Sequence, residues 1–269
     1  MLTSLLWRIS RKKVGLSKWV RDTAAIYLDY YNDFGYDFNT NGESRIIEIL
    51  ANHDIKVVFD VGANIGEWSR LAADAFPAAV VHAFELSENT RRKLKQNLAD
   101  LRFVVCENAL GAFEGKVEYK DYGDQHSTVN TFVETTFHDK TLPFEKRTSS
   151  ITTGDSYMEC NGILTVDVLK IDVEGAEYQV LEGFGRALSN HRIRVIQFEY
   201  GYANGDTKRL MKDFYTLLSQ CGYEIGKIWT AGVRFSPFEY RMNNFDSGPN
   251  YLAVAKSEQA LIEALRSPV

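Results

Sequence analysis

The most constraining feature of this chain is an apolar run that ends in an acid and opens at once into a glycine turn. It reads Val57-Val58-Phe59-Asp60-Val61-Gly62-Ala63-Asn64-Ile65-Gly66, and a helical pattern begins at Glu67. Gly62 and Gly66 allow backbone dihedrals and close approaches that a Cβ would forbid, so the segment reads as the first strand–loop–helix of a nucleotide-type site. The pattern then repeats as strand 79–84, helix 87–98 and strand 101–105. After a polar interval come strand 165–171, helix 175–183, strand 193–199 and a helix from Thr207 to Gln220. Strands alternating with helices imply an α/β fold with a parallel sheet and helices on both faces. Gly222 to Ile228 and Tyr251 to Ala255 complete the sheet as a final antiparallel pair, joined by 229–250.

The second strand narrows the ligand. Ala79 to Phe84 ends at Glu85, nineteen residues beyond Gly66, where a carboxylate accepts hydrogen bonds from both ribose hydroxyls. A dinucleotide loop needs a Gly-x-Gly-x-x-Gly turn that seats a pyrophosphate on the helix N-terminus. Here Asn64 stands at the middle glycine, and Asp60 would repel a phosphate. A carboxylate at that place suits a cofactor bearing an ammonium and a sulfonium. The expected cofactor is therefore S-adenosylmethionine rather than a nicotinamide, with Asp60, Gly62, Asn64 and Gly66 at its amino end and Glu85 on its ribose. In such sheets the ligand lies beyond the carboxyl ends of the strands, which brings Asn108, Ala109, Asp172 and Glu199 to the same rim. Asn108 reads either as a contact to the adenine edge or as a simple turn residue.

Three strings together resemble the FkbM family of S-adenosylmethionine-dependent methyltransferases. They are Asp60 to Gly66, Phe84-Glu85, and Asp167-Val168-Leu169-Lys170-Ile171-Asp172-Val173-Glu174-Gly175-Ala176-Glu177, with Gly154-Asp155-Ser156-Tyr157 as a short preceding element. The Leu-Lys-Ile-Asp-Val-Glu-Gly-x-Glu string is the distinctive part, and the resemblance runs from about residue 56 to 256. Leu86 departs from the proline usual after the acid, and a leucine can still cover an adenine face. The resemblance implies a Rossmann-like class I methyltransferase fold with a mostly parallel seven-stranded sheet. It also implies methylation of a hydroxyl.

Methyl transfer to a hydroxyl gains from a base within hydrogen-bond reach. Asp172 is the first candidate and Glu199 the second, with the loop histidines His126 and His138 behind them. His82 lies inside a strand and reads as core; His53 and His191 lie in connections. Lys170 shares a strand face with Asp172, so an ion pair between Lys170 and an acid is expected to fix the rim. Glu177, in a first helical turn, suits stabilisation of the helix dipole. A divalent metal on Asp172, Glu199 and a histidine stays open, because carboxylate-rich rims suit magnesium, but no ligand spacing supports it. The acceptor is read as a small molecule or glycan, first a sugar and second a polyketide or other secondary metabolite. A nicotinamide oxidoreductase and a non-catalytic scaffold are the competing classes.

The remaining chain sets outer bounds. A net charge of −5 over 269 residues argues against a general nucleic-acid surface. The 3 cysteines show no metal pairing, and no apolar run reaches membrane-spanning length, so a cytoplasmic protein is expected. Residues 1–52 read as an N-terminal helical extension and 53–269 as the methyltransferase domain, with a buried helix near Gly42 to Asn52. Within residues 1–21 stand Arg8, Arg11, Lys12, Lys13, Lys18 and Arg21 with no acid, interleaved with Leu2, Leu5, Leu6, Ile9, Leu16 and Val20. This segment suits peripheral contact with an anionic membrane, or else a helix that caps the domain or packs on another subunit of a homo-oligomer. Residues 22–40 are rich in tyrosine. A short strand is expected over Lys116 to Lys120, and polar residues 121–150 read as a lid or binding loop.

Overall fold

The computed structural model describes residues 2–11, 13–32, 35, 37–99, 102–135, 140–245 and 248–267. Its frame is an eight-stranded sheet: β1 (Val57–Val61), β2 (Val80–Phe84), β3 (Phe103–Cys106), β7 (Val166–Ile171), β8 (Ile193–Glu199), β9 (Tyr223–Trp229), β10 (Gly232–Phe235) and β11 (Asn250–Ala255), in the order β10-β9-β11-β8-β7-β1-β2-β3. The five strands from β8 to β3 are parallel, while β11 runs antiparallel to both β8 and β9. A smaller sheet, β4 (Ala109–Leu110), β6 (Glu145–Thr152) and β5 (Gly115–Asp121), stands beside it.

Both faces of the large sheet are covered, which is why its strands read as nearly continuous apolar runs. On one face, Val58, Val81, Val168 and Val195 pack against α3 (Glu43–Leu50), α4 (Glu67–Ala75), α5 (Glu88–Asn97) and the C-terminal α11 (Gln259–Leu265). On the other, Phe59, Leu169, Ile196 and Phe198 pack against α6 (Gly154–Cys160), α7 (Glu177–Gly183), α8 (Gly185–Ser189) and α10 (Met211–Gln220). Ser87 caps α5 by accepting the Thr90 amide, and Thr153 caps α6 through the Ser156 amide. A short α9 (Tyr202–Asp206) follows β8.

Two departures from the sequence reading have clear causes. The sheet has eight strands rather than seven, because the 229–250 connection turns back at once and adds β10 to the edge by pairing with β9. Four residues are too few to display a period. The polar 121–150 stretch is not a single loop: it holds a 3₁₀ helix at Asp124–Val129 and the long strand β6. Most of the β6 side chains are exposed on both faces, so no apolar alternation marks it.

The N-terminal helices differ from the rest. Neither α1 (Leu2–Ser10) nor α2 (Leu16–Tyr31) contains a buried residue. By contrast α3 buries Ile46, Ile47, Ile49 and Leu50 in the core, as the sequence predicts for that helix. No described helix is long and apolar enough to cross a membrane.

Candidate active site

Strand register builds the floor of the site. Asp60 on β1 lies directly opposite Lys170 on β7, which lies opposite Gln197 on β8. These polar residues therefore share one face of three adjacent strands. The Lys170 Nζ sits 3.4 Å from Asp60 Oδ1 and 3.1 Å from Asp172 Oδ2. Burial alone would favour the neutral amine, but Asp172, Asp60 and Glu43 raise Lys170 above its ordinary pKa and keep it charged. The expected lysine–acid pair is thus a lysine between two acids. Asp60 is 0% exposed; its Oδ2 accepts the Ser69 hydroxyl at 2.7 Å, and it lines neither cavity described below. Asp60 thus lies beneath Lys170, fully buried.

Glu43, from the first turn of α3, closes this floor. It accepts hydrogen bonds from Asn41, Asn250 and Gln197, and burial raises its pKa while Lys170 opposes the rise. No sequence signal pointed to Glu43, Gln197 or Asn250. Glu43 and Gln197 are 154 positions apart, and only the register unites them.

The β1 turn and the β2 tip form the next wall. Gly62 has φ +85°, and a Cβ there would fall 1.7 Å from the Asp172 carbonyl oxygen. Gly66 has φ +94°, and a Cβ would press on Leu94 and Leu98. The close approaches these glycines permit are thus to the chain itself, although Gly62 also lines the site. Glu85 is buried, with Oε2 accepting the Asn64 amide at 2.9 Å and Oε1 the Ser87 amide at 2.8 Å. Burial raises its pKa to about 7 against the pull of those amides and Arg91. Beside it, Leu86, Ala109, Leu110, Asn130 and Phe132 enclose a pocket of about 40 Å³. Half-buried Asn108 does not line it. A pocket that size holds roughly three waters. It is narrow because the 3₁₀ turn covers it: Ser127 donates to Asn64 Oδ1 at 3.1 Å.

Past this turn the site widens into a cavity of about 500 Å³, bounded by Phe38, Glu43, Trp68, Lys170, Asp172 and Glu199 among others. Asp172, Glu174 and Glu199 place carboxylate oxygens within 4.8 Å of one another. Burial, then Asp172 and Glu174, push Glu199 well above the usual carboxylate range. Burial and Asp172 do the same to Glu174. Burial also opposes the charge on Asp172, but Lys170 and a hydrogen bond from Glu199 hold it below its ordinary value. The cluster is therefore an ionised Asp172 that accepts a hydrogen bond from a neutral Glu199. No histidine joins the cluster among the described residues. His126 is exposed and lines neither cavity, and His138 lies outside the described residues. His82 is core, as expected: it bonds Tyr157, and burial lowers its pKa to about 4.

Glu177 does more than face a helix dipole. Its Oε1 accepts the Val173 and Gly175 amides and its Oε2 the Asn204 amide group, which fixes the turn carrying Glu174. Glu174 itself has φ +55°.

A sequence description of the methyltransferase FkbM domain matches residues 60–225. The chain is similar to the hexuronic acid methyltransferase AglP of Haloferax volcanii, with 25% identity over 177 residues that cover 64% of this chain and 69% of that protein. It is also similar to the AMB antimetabolite synthetase AmbE of Pseudomonas aeruginosa, 26% identical over 201 residues, covering 63% of this chain and 10% of that protein. Among solved structures it is similar to a methyltransferase FkbM from Methylobacillus flagellatus KT, with a TM-score of 0.46 and 15% identity, over 88% of this chain and 60% of that one.

Proposed function

Because the chain belongs to the methyltransferase FkbM family, we propose that it is an S-adenosylmethionine-dependent O-methyltransferase acting on a sugar hydroxyl. It is a methyltransferase, not the nicotinamide oxidoreductase that a similar sheet could carry. The observation that carries the hydroxyl reading is Asp172: an ionised carboxylate pinned by Lys170, paired with a protonated Glu199, on the wall of a cavity of about 500 Å³.

The residues present fit the cofactor. Glu85 accepts two backbone amides, and a carboxylate has about four lone-pair sites, which leaves room for two ribose hydroxyls. Leu86 and Ala109 supply apolar cover for a base, while Gly62 and Asn64 border the route from that pocket to the acid cluster. When bound, S-adenosylmethionine supplies a methyl group made electrophilic by its sulfonium. Asp172 then accepts the hydroxyl proton of the acceptor. That hydroxyl turns strongly acidic as its oxygen takes the methyl, so a carboxylate of low pKa suffices as base. Lys170 holds the Asp172 carboxylate in place, and Glu199 donates to it. Much of the remaining work is positioning.

A relative named as a hexuronic acid methyltransferase supports a sugar acceptor. The cavity suits a neutral sugar, because Glu67 and the ionised Asp172 line it against Lys170, the one lining cation among the described residues, while burial holds Glu43, Glu174 and Glu199 towards their neutral forms as hydrogen-bond donors. A uronate would add a negative charge beside the ionised Asp172. The similarity to AmbE supports a second reading, a hydroxyl of a secondary metabolite. Incubation with methyl-labelled S-adenosylmethionine and paired glycans ending in a neutral hexose or a hexuronate tests the proposal. Label is expected in an alkali-stable ether on the neutral sugar. Label on no sugar hydroxyl would sink the reading, and preference for the uronate would sink its charge argument.

A further inference from the structure

The helices α1 and α2, within residues 2–11 and 13–31, contain no buried residue. Of the 21 large hydrophobic side chains exposed on the described residues, 12 lie in this segment, including Trp19 at 64% and Tyr30 at 81%. They are not scattered. On α2, Leu16, Trp19, Ile26, Tyr27 and Tyr30 recur at intervals of three, four and seven, which gathers them on one side of the helix, with Lys18, Arg21, Asp22 and Asp29 on the other. On α1, Leu2, Leu5, Leu6 and Ile9 share one side and Arg8 lies away from them. Neither helix buries a residue against the sheet domain.

The charge of the segment says what would cover this face. Six lysines and arginines fall within residues 1–21 without one acid, in a chain whose net charge is −5, so the remaining residues carry −11. Arg11 lies over the Trp7 ring at 4.2 Å, so a cation and an aromatic ring share one patch. An apolar side bearing tryptophan and tyrosine, with Lys18 and Arg21 on the polar side and the basic stretch Arg8 to Lys13 before it, suits a helix lying in the plane of an anionic lipid surface. A second copy is a poorer occupant, since it would bring together two segments that each carry six basic residues and no acid over residues 1–21.

We propose that α1 and α2 dock the enzyme peripherally on an anionic membrane surface. The helix pair is tied to the catalytic domain near the site. The Lys227 ammonium donates to the Asn32 carbonyl at the end of α2, and the Tyr31 ring meets Trp229 edge-on at 5.9 Å. Phe38 and Asn41, a few residues further along, already line the large cavity. Docking therefore holds the acceptor cavity close to the lipid surface and favours acceptors presented there. The docking does not depend on which hydroxyl is methylated.

Co-sedimentation of the full chain with phosphatidylcholine vesicles, with and without phosphatidylglycerol, is the test. The protein should pellet with the anionic vesicles, stay in the supernatant with the neutral ones, and detach as salt rises. The double variant Leu16→Glu/Trp19→Glu should bind about tenfold more weakly or worse. Its thermal midpoint and its methyl transfer to a water-soluble acceptor should stay unchanged, because neither side chain is buried or part of the site. Failure of the wild-type chain to pellet with anionic vesicles overturns the proposal, as does equal pelleting with neutral ones. A concentration-dependent dimer in sedimentation velocity that the double variant dissolves also overturns it, in favour of a second copy.

Discussion

The two halves of the rim are built on opposite principles. Around Glu85 the walls are held by backbone amides within one strand–turn–strand unit, and the space is about 40 Å³. Around Asp172 the walls include side chains from α3, α4, β7 and β8, with Lys170 held by charge between Asp172 and the underlying Asp60, and the space is about 500 Å³. The first half is a local motif that fits one kind of ligand. The second is a long-range assembly whose shape and protonation depend on every member. In the proposed function the first half seats the cofactor and the second carries the acceptor chemistry.

Lys170→Met attacks the second half at its centre and should have the largest effect. It leaves Asp60 buried without a counter-charge and frees Asp172, so unfolding by denaturant should show a loss of about 3–5 kcal/mol. A loss below about 1 kcal/mol would mean that the floor is not held by this ion pair. Asp172→Asn should keep cofactor binding and lower kcat by about 10²–10⁴. Glu199→Gln should cost less and flatten the alkaline limb of the rate profile, because the wild-type pair stops working when Glu199 loses its proton. Equal losses in both variants would dissolve the distinction between base and partner.

The first half has its own signature in pH. The Glu85 carboxyl has a folded pKa of about 7 against an ordinary 4.5. Between those values the folded chain keeps a proton that the unfolded chain releases, so stability falls as pH rises through this window and levels off above it. At 1.36 kcal/mol per pH unit the fall over this window is at most about 3–4 kcal/mol. Burial raises Glu43, Glu174, Glu177 and Glu199 in the same direction, which steepens the slope. Glu85→Gln should remove its share of the fall in thermal melts run from acid to neutral pH. The smallest effect belongs to the boundary between the halves. Ser127→Ala removes the bond to Asn64 that holds the turn over the pocket, and cofactor binding by calorimetry should tighten by about 2–10-fold, the worth of one hydrogen bond of about 0.5–1.5 kcal/mol.

The same contrast explains what the sequence disclosed. The parallel core was legible because its strands are buried on both faces and its turns carry glycine, as at Val57 to Gly66. The tip of β2, the Lys170–Asp172 pair and the placement of Ala109 in the pocket followed from strand ends. Glu43 was not legible: it looks like any acid in a first helical turn, and only the facing of α3 on β8 brings it to Gln197. Glu174 was visible as a residue but not as part of a proton-sharing cluster, which depends on burial. Asp60 was legible as an acid at a strand end, while its complete burial under Lys170 depends on the β1–β7 register. The basic, apolar pattern of residues 1–21 was visible, but the continuation of the face to Ile26, Tyr27 and Tyr30 on one helix, left uncovered by the domain, emerged only from the structure.

Calorimetric titration of S-adenosylmethionine into the wild-type chain and Glu85→Ala tests the central assignment most directly. The account predicts one site per chain in the wild type and a loss of about tenfold or more in the variant, in line with removal of charged hydrogen bonds worth about 1.5–3 kcal/mol each. Undiminished binding by Glu85→Ala would contradict the assignment of the cofactor to this half of the rim.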